Sequence, residues 1–297
     1  MNLENLIPAE RIKYNQPMKE HTTFRIGGPA DILVMPGSVS EITLVLDWAR
    51  KNGLPYLVIG EGSNLLVRDG GFRGLVIKLG DSFNRVDFNG NEVKAQAGIK
   101  VSRLAAMAAD KGLGGLEFAE GIPGSLGGAV YMNAGAYGGE FSQVVTEVTV
   151  LNDAGQSTVL KKSELEFGYR SSSIQRYRYV VLEVELLLHP EEPHMVKEKM
   201  QELSRQRKER QPLELPSAGS VFKRPPGRFV GPMIDELGLK GYRVGDAEVS
   251  TKHAGFIVNR GHATARDVLA LVSQVQQRVK EKFGVDLETE FLIVGED

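Results

Sequence analysis

The sequence contains no cysteine among its 297 residues. Disulfide bonds, cysteine-ligated zinc and thiol nucleophiles are therefore excluded. Histidine is also scarce, and its five copies form no His-Glu-x-x-His pair. Without such ligand spacing a protein-bound metal has little support, and we expect none.

Long apolar runs and an excess of positive charge are missing as well. No window offers the roughly 18 apolar residues of a membrane span, and the N-terminus has no apolar signal-peptide core. The net charge of −2 argues against nucleic acid as a partner. The basic cluster at 205–210 also contains a glutamate and is better explained as the solvated face of a helix. We expect a cytoplasmic globular protein of two or three domains.

Residues 31–60 have the pattern strand, helix, strand, ending in a glycine loop. "DILVMP" (31–36) and "PYLVIG" (55–60) predict the strands, and "SEITLVLDWARKNG" (40–53) predicts the helix. Ser40 is a candidate N-cap, and Gly53 is a C-terminal stop signal.

The middle of the chain is rich in strands that turn signals separate. Asn89-Gly90 and the segment 153–155 (Asp-Ala-Gly) indicate hairpins, and one helix, at 102–112, interrupts the strands. This pattern favours an α+β fold with antiparallel strands and not a doubly wound one.

The last third begins after "HPEEPH" (189–194), where two prolines indicate a linker. A charged helix at about 194–210 follows, and a strongly amphipathic helix is predicted at 264–284. The chain ends in an apolar strand, "EFLIVG" (290–295). The apolar stripe of the 264–284 helix is interpreted as core: Val268, Leu271, Val272, Val275 and Val279.

Glycine is concentrated in two loops, at 60–65 and 121–140, and the second contains seven glycines. Neither loop has the G-x-G-x-x-G spacing of a dinucleotide fingerprint or the lysine of a P-loop. Two such loops can still present several main-chain N–H groups to a diphosphate from two sides. Tight turns in a β-rich domain are the alternative explanation.

Six motifs together resemble one enzyme family over about residues 20 to 295. "VIGEGSNLLV" and "EGIPGSLGGAVYMNAGAYGGE" are similar to the FAD-binding domain of the vanillyl-alcohol oxidase superfamily. With "FGYRSSSI", "SAGSVFKRP", "KHAGFIVN" and "LETEFLIVG", the chain resembles the UDP-N-acetylenolpyruvoylglucosamine reductase family, in its shorter type.

The resemblance implies an α+β fold: a two-subdomain FAD-binding module of the vanillyl-alcohol oxidase type, followed by a smaller α+β substrate domain. These parts are expected at residues 1–75, 76–192 and 193–297, with Glu290 on the final strand. FAD is expected to bind noncovalently. The expected cofactor-binding residues are Gly60, Glu61, Gly62, Ser63, Asn64, Leu65, Gly121, Ile122, Pro123, Gly124, Ser125, Gly128, Ala129, Asn133 and Gly135.

The reaction implied is reduction by NADPH of the enolpyruvyl ether of UDP-N-acetylglucosamine to UDP-N-acetylmuramate, in peptidoglycan precursor synthesis. Arg170 matches the family's catalytic arginine, and a guanidinium suits a carboxylate. Ser220 matches the proton donor, a role that is sensible because the C2 carbanion is very basic. Glu290 matches the catalytic glutamate, with Glu288 as its competitor on the same strand face.

Substrate contacts are expected from motif position at Tyr137, Arg210 and Lys223. Two residues depart from the common pattern: Arg224 stands where many relatives have asparagine, and Ser171 where the longer type commonly has aspartate. Neither departure touches the three catalytic candidates.

Two other functions remain open at this stage. An oxidase of the same flavin superfamily would use oxygen, and many such oxidases tether FAD through His or Cys; this chain has no cysteine, and neither glycine loop has a histidine. A non-catalytic protein that binds nucleotide sugars would not need Arg170, Ser220 and Glu290 together.

Overall fold

The computed structural model describes residues 2–297. The α-helices are α1 Val39–Lys51, α2 Val101–Asp110, α3 Leu126–Tyr131, α4 Ser173–Arg176, α5 Pro193–Arg210, α6 Val230–Glu236 and α7 Ala265–Phe283. The strands are β1 Ile12–Pro17, β2 Pro29–Val34, β3 Tyr56–Ile59, β4 Leu65–Val67, β5 Phe72–Lys78, β6 Val86–Asn89, β7 Glu92–Gln96, β8 Leu113–Gly114, β9 Gly135–Ala136, β10 Gly139–Glu140, β11 Val145–Leu151, β12 Ser157–Lys161, β13 Val180–Leu187, β14 His189–Pro190, β15 Arg243–Val244, β16 Ala247–Val249, β17 Ile257–Asn259 and β18 Leu292–Val294.

The described residues form two compact units. The first unit comprises the residues up to Lys13, Ile32–Glu61 and Gly74–Arg207. The second comprises Tyr14–Asp31, Gly62–Arg73 and Lys208–Asp297. Two N-terminal segments thus cluster with the C-terminal residues. The expected three-part division at 75/76 and 192/193 stays a prediction.

The core of the first unit lies around a five-stranded sheet of order β12-β11-β13-β7-β6. All its pairings are antiparallel, and the β6–β7 and β11–β12 hairpins turn where the sequence predicted. A four-stranded sheet has the order β1-β2-β5-β3, in which β3 and β5 run parallel. The mixed helices and antiparallel strands confirm the α+β class.

Helix α5 begins at Pro193, and all of it up to Arg207 belongs to the first unit. Val196 and Met200 pack into that unit's apolar core. His189 and Pro190, expected in a linker, instead pair with Gly114 and Leu113. Burial of the helix's apolar positions is the physical reason why α5 clusters with the first unit.

The core of the second unit is built from α6, α7 and the three-stranded sheet β15-β16-β17. All five residues of the predicted α7 stripe are buried, which confirms their core role. Thr264 caps this helix, and the Asp69 carboxylate accepts hydrogen bonds from the backbone N–H groups of Ala265 and Arg266 at 2.8 and 2.9 Å. Strand β18 pairs in parallel with β4 in the same unit.

The N-cap of α1 is Ser38 and not Ser40. The Ser38 hydroxyl accepts a hydrogen bond from the backbone N–H of Glu41 at 3.2 Å. The sequence offers serine at both positions, and an N-cap must precede the first residue with helical backbone angles. That residue is Val39.

Candidate active site

The two glycine loops meet within the first unit. Gly60 follows β3 directly, and a Cβ added to Gly60 would lie 2.0 Å from the Oγ of Ser125. Ser125 is buried, so it has little room to move away. Beside this contact, Lys100 Nζ lies 3.7 Å from Glu61 Oε2. Bare backbone at Gly60 is therefore required for the two loops to approach each other.

Residues 97–101 hold the start of the second loop. Val101 donates its backbone N–H to the Gly124 carbonyl at 3.0 Å, and Leu126 donates to Ile99 at 2.8 Å. A Cβ on Gly127 would lie 2.8 Å from the Cβ of Ala97. Some glycines of this loop thus serve packing. By contrast, Gly128 and Gly138 are exposed, and an added Cβ would meet no close atom at either.

Asn133 is fully buried, and its side chain is used by the protein itself. Its Nδ2 donates to Glu140 Oε1 and to the Gly168 carbonyl, both at 3.1 Å, while its Oδ1 accepts from the N–H of Ser142 at 2.9 Å. Because the Asn133 side chain is engaged within the protein, we expect a cofactor to contact this residue through its main chain.

Tyr137 and Gly138 form the two-residue turn of the β9–β10 hairpin. Both have positive φ, 53° and 84°. Positive φ at both central positions is the mark of a type I′ turn, which favours asparagine and glycine. A tyrosine in this backbone conformation is strained, and such strain is concentrated at functional sites.

Arg170 occupies a similarly unfavourable turn position. Gly168 and Ser171 exchange backbone hydrogen bonds at 3.0 and 3.2 Å, which makes Tyr169 and Arg170 the central residues of the turn. The φ of Arg170 is 55°, at the position where a positive φ normally selects glycine. Its guanidinium donates to the Gly135 carbonyl at 3.2 Å. Arg170 is thereby fixed against the glycine-rich segment.

Arg207 also lies against this segment and was missed by the sequence interpretation, which treated residues 205–210 as a solvated face. Its side chain is only 6% exposed and donates to the Gly121 carbonyl. The signal was present in the sequence. Arg207 lies on the buried stripe of α5 with Val196, Met200 and Leu203, at helical spacing.

In the second unit, the loop 62–65 is bonded to the segment that contains Glu290. Gly62 has a φ of 63°, and an added Cβ would lie 2.1 Å from the His21 carbonyl oxygen. Asn64 Nδ2 donates to the Glu290 carbonyl at 3.2 Å, and the Leu292 N–H donates to the Asn64 carbonyl at 2.9 Å. Leu65 is buried at the start of β4.

Ser220 and Glu290 lie on neighbouring backbone segments of the second unit. The Glu290 N–H donates to the Val221 carbonyl at 2.7 Å, and Val221 donates to the Gly255 carbonyl at 2.9 Å. Ser220 itself pairs with Phe256 as an antiparallel bridge. The backbone on both sides of the serine hydroxyl is therefore fixed.

The two candidate glutamates have different surroundings. Glu288 is exposed, and its Oε2 lies 3.1 Å from the Nζ of Lys223. Glu290 is half-buried. Which of the two glutamates acts as the acid stays a prediction from the motif, which assigns that role to Glu290. Lys223 is half-buried and engaged in the pair with Glu288, and Arg210 is exposed at the end of α5.

Among residues 2–297, no group of three or more His, Asp or Glu side chains is arranged to hold a metal ion. No helix in that range combines the length and apolar character of a membrane span.

Comparisons with known proteins agree with the motif resemblance. Residues 30–161 match a family described as an FAD binding domain. Residues 211–294 match the C-terminal domain of UDP-N-acetylenolpyruvoylglucosamine reductase.

The full chain is similar to proteins of the same name. A UDP-N-acetylenolpyruvoylglucosamine reductase of Clostridium tetani is 52% identical over 100% of this chain and 96% of its own length. One from Syntrophomonas wolfei is 50% identical, over 99% and 98%. The crystal structure of UDP-N-acetylenolpyruvylglucosamine reductase from Thermus caldophilus aligns with a TM-score of 0.81 and 42% identity, over 93% of this chain and 97% of that one. By its motifs, its fold and its full-length similarity, the chain belongs to the UDP-N-acetylenolpyruvoylglucosamine reductase family.

Proposed function

We propose that the chain reduces the enolpyruvyl ether of UDP-N-acetylglucosamine to UDP-N-acetylmuramate, with NADPH as reductant, in peptidoglycan precursor synthesis. The observation that carries this proposal is the pairing of the Ser220 and Glu290 segments, through the 2.7 Å hydrogen bond from Glu290 to Val221. A proton donor and a second acid on fixed, neighbouring segments suit protonation of a carbon acid. A cytoplasmic location is part of the same proposal.

The glycine segments of the first unit fit FAD. At Gly128, which is exposed, an added Cβ would meet no protein atom nearer than 3.6 Å, so the main chain there is open to a ligand. Main chain without side chains lets a diphosphate approach backbone N–H groups closely. We assign Glu61, the 121–125 segment, Gly128, Ala129, Asn133 and Gly135 to the same noncovalent FAD site, and the sequence motif adds residues 62–65.

When bound, FAD supplies the hydride chemistry, and the chain's residues bind, orient and protonate. Arg170 stabilises the negative charge that develops on the enolpyruvyl carboxylate. A guanidinium remains cationic and offers two parallel donors to a carboxylate. The Gly135 carbonyl, which accepts one of its N–H groups, sets the direction of the remaining ones.

Ser220 donates the proton to C2 of the substrate. Hydride addition at C3 leaves a strongly basic carbanion, delocalised into the carboxylate, so a hydroxyl is acidic enough to protonate it. Glu290 donates a hydrogen bond to the resulting enediolate. Tyr137, Arg210 and Lys223 contact the sugar nucleotide in this proposal.

Anaerobic incubation with NADPH and the enolpyruvyl substrate tests the proposal. We expect NADPH oxidation in proportion to the substrate added, and a product that carries two more hydrogen atoms by mass spectrometry. Acid precipitation should release the yellow flavin, since the binding is noncovalent. NADPH oxidation that requires oxygen and does not depend on the enolpyruvyl compound would instead support the oxidase alternative.

A further inference from the structure

The turn that carries Arg170 is followed by two buried serines whose hydroxyls bond to different parts of the first unit. The Ser172 hydroxyl donates to the Tyr131 carbonyl at 2.6 Å, and the Ser173 hydroxyl donates to the Glu164 carbonyl at 2.7 Å. The two serines are 4% and 1% exposed. These neighbours therefore make hydrogen bonds of the same kind at similar burial, but only Ser172 bonds to the glycine-rich segment 121–140.

Ser172 makes this contact instead of capping its own helix. It occupies the N-cap position of α4, but its side chain makes no capping hydrogen bond there. Tyr131 is the last residue of α3, and the last carbonyls of an α-helix have no partner within the helix. Ser172 supplies such a partner. Its hydroxyl therefore joins the end of α3 to the residue that directly follows the Arg170 turn.

A second hydrogen bond joins the other end of the turn to the same part of the chain. The Asn133 side chain donates to the Gly168 carbonyl at 3.1 Å, and Gly168 and Ser171 close the turn through their own backbone hydrogen bonds. Asn133 follows Tyr131 after a single intervening residue. Residues 131–133 therefore hold the turn at both of its ends.

Arg170 needs this support because its backbone is strained. Its φ of 55° is unfavourable for a residue with a side chain, and such conformations persist only where the surroundings hold them. The Arg170 side chain donates to the Gly135 carbonyl at 3.2 Å, so the position of the guanidinium depends on that of the turn. A turn released at one end can relax to negative φ, which would move the guanidinium away from Gly135.

We propose that Ser172 is a positioning residue for Arg170: its bond to the Tyr131 carbonyl holds the turn in the backbone conformation that directs the guanidinium. Asn133 supports the same turn from its other end. Ser172 acts through Arg170 and not through the substrate or the cofactor. The inference rests on the proposed function, in which Arg170 stabilises the charge that develops on the enolpyruvyl carboxylate.

The test compares Ser172→Ala with Ser173→Ala in the full, flavin-loaded chain. Each variant removes one buried hydrogen bond, so both should lower the unfolding temperature by a similar amount. Anaerobic stopped-flow absorbance then measures the two half-reactions. We expect Ser172→Ala to slow recolouring by the enolpyruvyl substrate by roughly 10- to 100-fold, the scale for a catalytic group displaced by about 1 Å, and to leave bleaching by NADPH unchanged. Ser173→Ala should keep both rates.

A double-mutant cycle shows whether Ser172 acts through Arg170. In an Arg170→Met background the guanidinium is already absent, so Ser172→Ala should cause no further slowing of recolouring. Equal slowing in the wild-type and Arg170→Met backgrounds would overturn the inference. Equal slowing by Ser172→Ala and Ser173→Ala would also overturn it, since any buried hydrogen bond of this region would then serve.

Hydrogen–deuterium exchange tests the positioning without any turnover. The backbone amides of Gly168 and Ser171 should exchange faster in Ser172→Ala than in the wild type or Ser173→Ala, because their mutual hydrogen bonds open with the turn. If Arg170→Met kept full activity, the proposed role of Arg170 would fail, while the exchange rates would still decide whether Ser172 holds the turn. Unchanged exchange at both amides in Ser172→Ala would contradict the inference.

Discussion

At the scale of single residues, the site is defined by side chains on unfavourable backbone. Tyr137 and Arg170 both have positive φ, where glycine or asparagine would be more stable. The sequence identified both residues by motif, but neither strain is visible without backbone angles. Arg207 was missed because charge density in "RQRKER" suggested a solvated face, although its spacing from Met200 and Leu203 indicated burial.

The substitution Tyr137→Asn should preserve or raise the stability of the fold and weaken binding of the UDP-sugar substrate. Asparagine before Gly138 restores the favoured type I′ turn and relieves strain on the order of 1 kcal/mol. We expect an unchanged or higher unfolding temperature, together with a higher KM for the UDP-sugar substrate. Tyr177→Asn is the control, since Tyr177 is 52% exposed and has a φ of −94°. A markedly less stable Tyr137→Asn protein would show that the tyrosine is there for packing.

Ser220→Ala should separate the two half-reactions. Hydride transfer from NADPH to flavin needs no proton from Ser220, so flavin bleaching should keep its rate. Recolouring by the enolpyruvyl substrate should slow by roughly 10²–10⁴-fold, the scale for loss of a positioned general acid. Stopped-flow absorbance on one mutant measures both phases. Equal slowing of both would remove Ser220 from the proton transfer.

His253 should give the second unit a pH-dependent stability. Burial lowers the pKa of His253, and its Nδ1 accepts the Gly255 N–H at 3.1 Å, which requires the neutral ring. The unfolded histidine gains its proton near pH ~6.5 and the folded one only at lower pH, so the unfolded state binds more protons as the pH falls. Stability should therefore be full above pH ~6.5 and decline below it.

Thermal unfolding between pH 5 and 8 checks this expectation. His253→Gln should flatten the decline, while His262→Gln, at an exposed position of the same unit, should retain the wild-type profile. Parallel profiles for the wild type and His253→Gln would contradict the assignment.

At the scale of elements, local sequence patterns predicted the presence of helices and hairpins better than they predicted where a helix begins. The apolar stripe located α7 because every member faces one core, and Asn89-Gly90 located a hairpin because its turn chemistry is local. The N-cap of α1 was placed two residues late, since serine stands at both 38 and 40. The Asp69 carboxylate that caps α7 comes from 196 positions earlier in the chain, and no local pattern predicts it.

Gly60→Ala should disrupt the junction of the two glycine loops. The added Cβ would lie 2.0 Å from the Ser125 Oγ, so one loop must shift. We expect at least a 10-fold loss of FAD affinity, measured by flavin fluorescence during reconstitution, from loss of about one charged hydrogen bond. The control is Gly80→Ala, where an added Cβ meets nothing within 4 Å. Normal FAD binding by Gly60→Ala would mean that the loop junction does not shape the cofactor site.

At the scale of the whole molecule, the division into units could not be predicted from the order of segments along the chain, because each unit combines segments that are far apart in sequence. Residues 14–31 and 62–73 cluster with the C-terminal part, because their contacts are made across long stretches of sequence. Phe24 and Leu66 are buried in the same core as the α7 stripe. The resemblance supplied the α+β class and the family, but non-local packing of this kind decides where a unit ends.

The central claim is that one chain joins flavin reduction by NADPH to reduction of an enolpyruvyl ether. The most direct test is an anaerobic stopped-flow experiment on the purified, flavin-loaded protein. NADPH should bleach the flavin, and the enolpyruvyl ether of UDP-N-acetylglucosamine, added next without oxygen, should restore the colour and yield UDP-N-acetylmuramate in equal amount. A bleached flavin that recovers its colour only on admission of oxygen would contradict the account.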